Sequence, residues 1–486
     1  MMLVCKGVAT TGGTHALVLD TAYLGNKLDD FVTGLNITKD YDVVNGYAVY
    51  QQIKEFYDEA GDGAYLWLVV TANTTAYATY CAYATGTTFL NLIRGTIQSD
   101  LNMRVKMVGL CYKPPATQQS AIDFNSDVLA TIPIAQACAV GLSAEGFPLS
   151  FILDGTNMSS TATSATIGSM ASKLAPQVSF CITGSKPNGV ASVGAALGRF
   201  ARITVGHGFG ATEDGPIRMT SSFLTNGVSS LISGSVITNG TALTAGHSYM
   251  VLNNIVYNGT VYSFGDIFLC VAGTTAFTVG TVVDLTSAGT ISAASKYYVL
   301  AGPVTSDGIV YVTGQTFVAT ATSFTGGFVT LMNATDVSKL FQSDYIAYGD
   351  KQYMFHSPYY QLSGLYWNDG ATCDLVTKPL STQEFNRVGN KMVSALLYFL
   401  SLLKGKNVPI DTKTGLVSLA FTSAKQADFD RDYVNPLVLT NDISGGSLSL
   451  VGTPNGVNTV NWTYTLTING EPITGSATGT VTFSNT

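Results

Sequence analysis

Val49-Tyr50-Gln51-Gln52-Ile53-Lys54-Glu55-Phe56-Tyr57-Asp58-Glu59-Ala60-Gly61-Asp62-Gly63-Ala64-Tyr65-Leu66-Trp67-Leu68-Val69-Val70 carries two periodicities in succession. From Asn45 to Ala60 the apolar positions Val49, Ile53, Phe56 and Ala60 recur at helical spacing with polar residues between them, which predicts an amphipathic helix over 45–60 ended by Gly61-Asp62-Gly63. The run from Tyr65 to Val70 has no polar member, the pattern of a strand buried on both faces. A helix feeding directly into such a strand points to α/β packing. Comparable runs at 105–112, 149–154, 178–183 and 202–205 are spaced widely enough for helical crossovers. The expectation is an α/β core with a doubly wound, mainly parallel sheet over 41–235, preceded by an N-terminal arm and first strands over 1–40.

Within that core, Gly189-Val190-Ala191-Ser192-Val193-Gly194-Ala195-Ala196-Leu197-Gly198-Arg199 invites comparison with phosphate-cradling loops, but it contains neither G-x-G-x-x-G nor G-K-[ST]. The small residues at 191, 194, 195 and 198 suit a helix packed closely on a neighbour instead.

Residues 240–335 differ in kind, being rich in Gly, Thr, Val and Tyr with almost no charge, and they are internally duplicated. Tyr249-Met250-Val251-Leu252 answers Tyr297-Tyr298-Val299-Leu300, and 261–268 answers 310–317, a period of about 48 residues. Asn258-Gly259 and Asp307-Gly308 supply the turn chemistry of two-residue hairpins. This predicts an inserted, duplicated β domain. Tyr249, Tyr257, Tyr262 and Tyr311 could stack on host glycans or serve as cross-strand packing.

Beyond the insert, 336–486 reads as an α+β unit. Phe385, Val388, Met392, Leu396, Phe399 and Leu403 follow helical spacing up to Gly405. Val460, Trp462, Tyr464, Leu466 and Ile468 then alternate strictly, and Val481 and Phe483 alternate in a closing strand. Five large side chains on one face require cover. A terminal strand is also a natural donor to a neighbour's sheet edge, so these seven residues are the candidate inter-subunit strand, and deleting 458–486 is expected to abolish polymerisation.

Composition narrows the function classes. Asp, Glu, Lys and Arg make up 11% of the 486 residues, against roughly 25% in an average soluble domain. Little charge separates one copy from the next, which suits a protein whose faces are covered by neighbours. A net charge of -7 with no basic stripe argues against nucleic acid. The apolar run at 392–403 is too short to span a membrane, and 1–6 is too short for a signal peptide. Cysteines 5, 81, 111, 138, 181, 270 and 373 lack metal-ligand spacing and read as reduced, buried thiols. Histidines 15, 207, 247 and 356 are equally scattered. Only His207, ahead of Glu213 and Asp214 after an expected strand end, stands where α/β enzymes place reactive groups. The expectation is no enzyme, no cofactor and no metal.

Four stretches, in order, carry a resemblance: 50–64 with its following strand, Ala191-Ser192-Val193-Gly194-Ala195-Ala196-Leu197-Gly198-Arg199, Gly364-Leu365-Tyr366-Trp367-Asn368-Asp369-Gly370, and the helix opening at Asn386-Arg387-Val388. Together they resemble the sheath proteins of contractile phage tails, in particular those of phages infecting Bacteroidetes-like hosts, over about 40–225 and 336–486. The resemblance implies a homo-oligomer of hexameric rings stacked helically around a tail tube protein. It further implies baseplate and tail terminator partners, terminal arms that add strands to neighbouring sheets, and contraction that drives the tube through the host envelope. It would place the chain in the virion after assembly in the bacterial cytoplasm. The duplicated insert at 240–335 lies outside the common sheath core, so the resemblance implies that it decorates the outer surface. A surface adhesin or glycan-binding protein, and the sheath of a bacterial contractile injection system, are the alternative readings.

Overall fold

The computed structural model describes residues 1–97, 105–113, 126–155, 168–182, 191–203, 209–211, 214–218, 232–331 with short breaks, 351–358, 365–375 without 369, 382–403, 406–439, 443–455, 459–469 and 474–484. Its first unit is a six-stranded sheet. The strands are β1 (Met2–Gly7), β2 (Ala22–Gly25), β3 (Leu66–Ala72), β4 (Met107–Cys111), β5 (Ser150–Asp154) and β6 (Val178–Cys181), in the order β2-β3-β1-β4-β5-β6. β3, β1, β4, β5 and β6 run parallel, and β2 closes one edge antiparallel. Helices α1 (Leu28–Leu35), α2 (Lys39–Asn45), α3 (Val49–Ala60) and α7 (Val193–Arg202) cover one face; α4 (Tyr77–Tyr80), α5 (Thr88–Leu92) and α6 (Ser126–Ala144) cover the other.

Three boundaries depart from the sequence reading. Met2–Gly7 is no arm: it is buried throughout and pairs with β3 on one side and β4 on the other. The run at 202–205 opens as helix, since Arg202 ends α7 and Ile203 turns extended, while 204 and 205 lie outside the described residues. Residues 351–358 and 370–375 belong with the α/β sheet, because Met354 bridges Cys181 and Cys373 bridges Ala175, flanking the outer edge of β6.

Close approach of α3 and α7 depends on two glycines. A Cβ on Gly194 would lie 1.9 Å from the Gln52 carbonyl oxygen, and one on Gly198 would lie 2.4 Å from that of Phe56. The buried Gln52 amide ties the pair, accepting from Gly194 N at 2.7 Å and donating to Ala191 O at 2.7 Å. On the opposite face α6 is apolar all round and long enough to cross a membrane; it buries Val128, Ile132, Ala135 and Leu142 against the sheet.

The β module opens at Ile232 rather than 240. Its first repeat contains β7 (Ile232–Ser233), β8 (Val236–Thr238), β9 (Ser248–Asn253), β10 (Ile255–Tyr257), β11 (Thr260–Tyr262), β12 (Ile267–Leu269) and β13 (Thr281–Asp284). The second contains β14 (Gly289–Thr290), β15 (Lys296–Ala301), β16 (Val304–Ser306), β17 (Ile309–Tyr311), β18 (Thr316–Val318), β19 (Ser323–Phe324) and β20 (Phe328–Leu331). Each repeat centres on one four-stranded sheet, β12-β9-β13-β8 or β18-β15-β20-β7, so the incoming chain adds a strand to both. The hairpins β10–β11 and β16–β17 turn through Asn258-Gly259 and Asp307-Gly308, all four with positive φ, as a type I′ turn requires. Tyr249 and Tyr297 occupy the same core position, and their hydroxyls accept from Thr244 N and Ser292 N, each at 2.8 Å.

After the short hairpin β21 (His356–Pro358) and β22 (Leu365–Trp367), the last unit packs α8 (Gln383–Ser401), α9 (Leu419–Phe429) and α10 (Asn435–Leu439) against a sheet. That sheet has the order β23 (Gly445–Pro454), β24 (Thr459–Asn469), β25 (Thr474–Ser484), antiparallel throughout.

Candidate functional site

In an open α/β sheet, ligands bind beyond the carboxyl ends of the strands where the strand order reverses. Here that point lies between β1 and β4, and this chain's own side chains fill it. Tyr77, fully buried, sends its hydroxyl to the carbonyls of Val4 (3.0 Å) and Cys111 (2.8 Å), spanning the gap between the two strands. Tyr112 packs edge-on against Tyr77 with ring centroids 4.8 Å apart, and Lys6 Nζ sits 3.7 Å from the Tyr77 ring centroid. Lys6 also donates to the Thr75 carbonyl, and burial lowers its ammonium to about 8 despite the opposing pull of Asp127. Asp127 accepts from Tyr77 N (2.9 Å) and Ala78 N (3.2 Å), and Asp154 accepts from Tyr112 N (3.1 Å) and Ala191 N (2.9 Å). These carboxylates hold backbone donors at the strand ends.

Other buried charges are likewise committed to packing. Asp42 accepts from Tyr50 N (3.1 Å) and Gln51 N (2.9 Å) at the start of α3, and burial pushes its carboxyl up to about 7. Glu59 accepts from Arg218 N at 2.6 Å and faces Arg202 at 3.5 Å; burial raises it as well. Arg199 donates to the carbonyls of Phe209, Ala211, Asp214 and Gly215, fixing the chain that leaves α7. Phe209 N then donates to Glu384, and Arg387 caps α7 through Phe200 O (2.9 Å) and Ile203 O (3.3 Å), which ties α8 to the same knot.

His207 and Glu213 lie outside the described residues, and Asp214 contributes a carbonyl to Arg199. His247 Nδ1 lies 2.7 Å from Asp284 within the first β repeat. All seven cysteines are buried and free, and no group of three or more potential metal ligands occurs among the described residues. Of the tyrosines considered for sugar stacking, Tyr249 and Tyr257 are buried, and Tyr257, Tyr262 and Tyr311 pack on Phe268 or Phe317.

The candidate inter-subunit residues divide. Val460, Trp462, Tyr464 and Leu466 are buried in a core shared with α8, so this chain itself covers that face. β24 is moreover the central strand, with both edges already paired, and cannot donate one. Side chains of Ile468, Val481 and Phe483 lie outside the described residues; by backbone, Val481 pairs with Trp462 and Phe483 with Val460. The available edge belongs to β25, whose eleven residues, Thr474-Gly475-Ser476-Ala477-Thr478-Gly479-Thr480-Val481-Thr482-Phe483-Ser484, contain no charge and no proline and pair on one side only among the described residues. The opposite edge is partly engaged, since Val417 N donates to Gly452 O of β23 at 2.9 Å.

Sequence reasoning missed Lys6, Tyr77, Glu59 and Arg199. A lone tyrosine in a Thr-rich loop carries no local signal, whereas the apolar start of β1 could have been read as a strand.

Comparison with known families finds a match to the model described as DUF2586, N-terminal domain, over residues 6–239, just under half of the chain. No curated protein and no solved structure matches the chain.

Proposed function

We propose that the chain is a structural, self-assembling subunit of contractile-sheath type, stacking in rings around an inner tube and contracting by exchange of lateral contacts. The observation that carries this reading is the eleven-residue, uncharged outer edge of β25. Natural sheets blunt such edges with charge, proline or bulges because a bare edge templates pairing with another chain. The filled crevice between β1 and β4 and the low charge of the whole chain support the same reading. Lateral strand pairing would hold neighbours together while other contacts change, which is the bistability that contraction needs. A bacterial injection apparatus would use the chain in the same way.

Negative-stain electron microscopy of the purified chain, alone and with a tube partner, tests this. Uniform hollow tubes or stacked rings are expected. Removing 471–486 takes away β25 and leaves the β23–β24 core, whereas a cut at 458 would remove Trp462 and unfold the unit. Tubes that still form from the shorter truncation would overturn the role of β25.

A further inference from the structure

The two β repeats have matching hairpins that meet different surroundings. In the first, β11 leans on α2, Val261 is half-buried, and Asp266 forms an ion pair with Lys39. Thr38, Lys39, Asp40 and Tyr50 line the cleft beside this hairpin. In the second repeat the corresponding positions are Ile309 for Thr260, Val310 for Val261, Val312 for Ser263 and Gln315 for Asp266. Ile309, Val310 and Val312 are 56%, 58% and 45% exposed, and Gln315 turns back to accept from Val312 N at 2.9 Å. The second repeat has therefore lost the acidic anchor, with Gln315 in its place, and carries apolar Ile309 and Val312 where the first has Thr260 and Ser263, while Val310 keeps the valine of 261.

We propose that the β16–β17 hairpin is a contact surface for a second copy of this chain, received by the edge strand β12 of that copy. Three neighbouring apolar side chains without a charge need a partner that is also apolar and uncharged. β12 supplies one: Ile267, Leu269 and Val271 are 55%, 58% and 53% exposed, no charged residue interrupts 267–271, and β12 pairs only with β9 among the described residues. The first repeat shows that this hairpin edge is suited to docking, because its own copy already rests on a neighbouring surface. Two different patches meeting head to tail propagate from copy to copy, closing a ring or continuing as a filament.

This contact shares with the proposed function only the premise of self-association. Because all seven native cysteines are buried, Val310→Cys creates a single accessible thiol in the full chain. Maleimide labelling should be at least about tenfold slower in the assembled protein than in the dissociated one. Ile309→Asp with Val310→Asp should raise the concentration needed for assembly by at least about tenfold, while Thr260→Asp with Val261→Asp leaves it unchanged. Should the paired aspartates prevent folding, the labelling rate decides. Tubes in which the introduced thiol reacts at the dissociated rate overturn this contact and leave the sheath reading standing. Small oligomers that protect the introduced thiol, without tubes, uphold the contact and overturn the sheath reading. A chain that stays monomeric at every concentration overturns both.

Discussion

In the α/β sheet, β6 is flanked by Met354 and Cys373, and β2 stops after four residues; in the last sheet, β25 runs for eleven residues with its outer edge bare among the described residues. Both sheets have the same backbone donors and acceptors to satisfy. One is completed within the chain, even to the point of filling its ligand crevice with Tyr77, and the other is left incomplete. An unguarded edge beside a guarded one in a single molecule is where the proposed pairing with another chain would occur.

That contrast can be broken or sharpened by substitution. Trp462→Ala should cost about 3–5 kcal/mol, unfolding the last unit at lower denaturant while the α/β transition stays in place, as followed by circular dichroism. A single shifted transition would mean that the two sheets are not separate. Gly194→Ala should act on the other side of the comparison, forcing α3 and α7 apart at about 1–3 kcal/mol, read as a lower urea midpoint. Tyr77→Phe removes the hydroxyl between Val4 and Cys111 and should cost about 1–2 kcal/mol, with tube formation unchanged.

Titration separates the units as well. Asp42 has its folded pKa raised to about 7 by burial, above the unfolded value, so its contribution is fully present below about pH 4 and is lost as pH rises through about 7. The melting temperature of the α/β unit should therefore be lower at about pH 8 than at about pH 5, and Asp42→Asn, which removes the titration but keeps an acceptor for only one of the two amides, should narrow that gap while lowering stability at both pH values. The smallest effect on stability is expected from Thr478→Lys with Thr480→Lys on the bare edge: within about 0.5 kcal/mol by thermal melt, but with tube formation lost in electron micrographs.

How much of this was legible in the sequence depends on how local each feature is. α3 spans Val49–Ala60, opening four residues after the expected start at Asn45, and β3 (Leu66–Ala72) overlaps the polar-free stretch 65–70 and runs two residues past it. The turns at Asn258-Gly259 and Asp307-Gly308 are equally local, because each needs two residues with positive φ. The centre of the sheet was not legible, since β1 finds its partners at 67–72 and 108–111 and no period encodes strand order. α6 was missed because its apolar residues surround the helix instead of forming a stripe, with Pro133 inside. For the candidate site, alternation in β24 announced a face needing cover, but only the tertiary fold shows that α8 lies there and that the open edge is one strand further on.

The chain leaves the α/β unit through 209–218 and returns through 351–384, and these two passages touch: Gly210 fits against the Asn368 carbonyl with no room for a Cβ, and Phe209 N meets Glu384. Departure and re-entry are thus fastened at one point before the β module begins. In evolutionary terms the module is a cassette. Recombination can exchange 232–331 for another domain while the fold on either side of it is inherited intact.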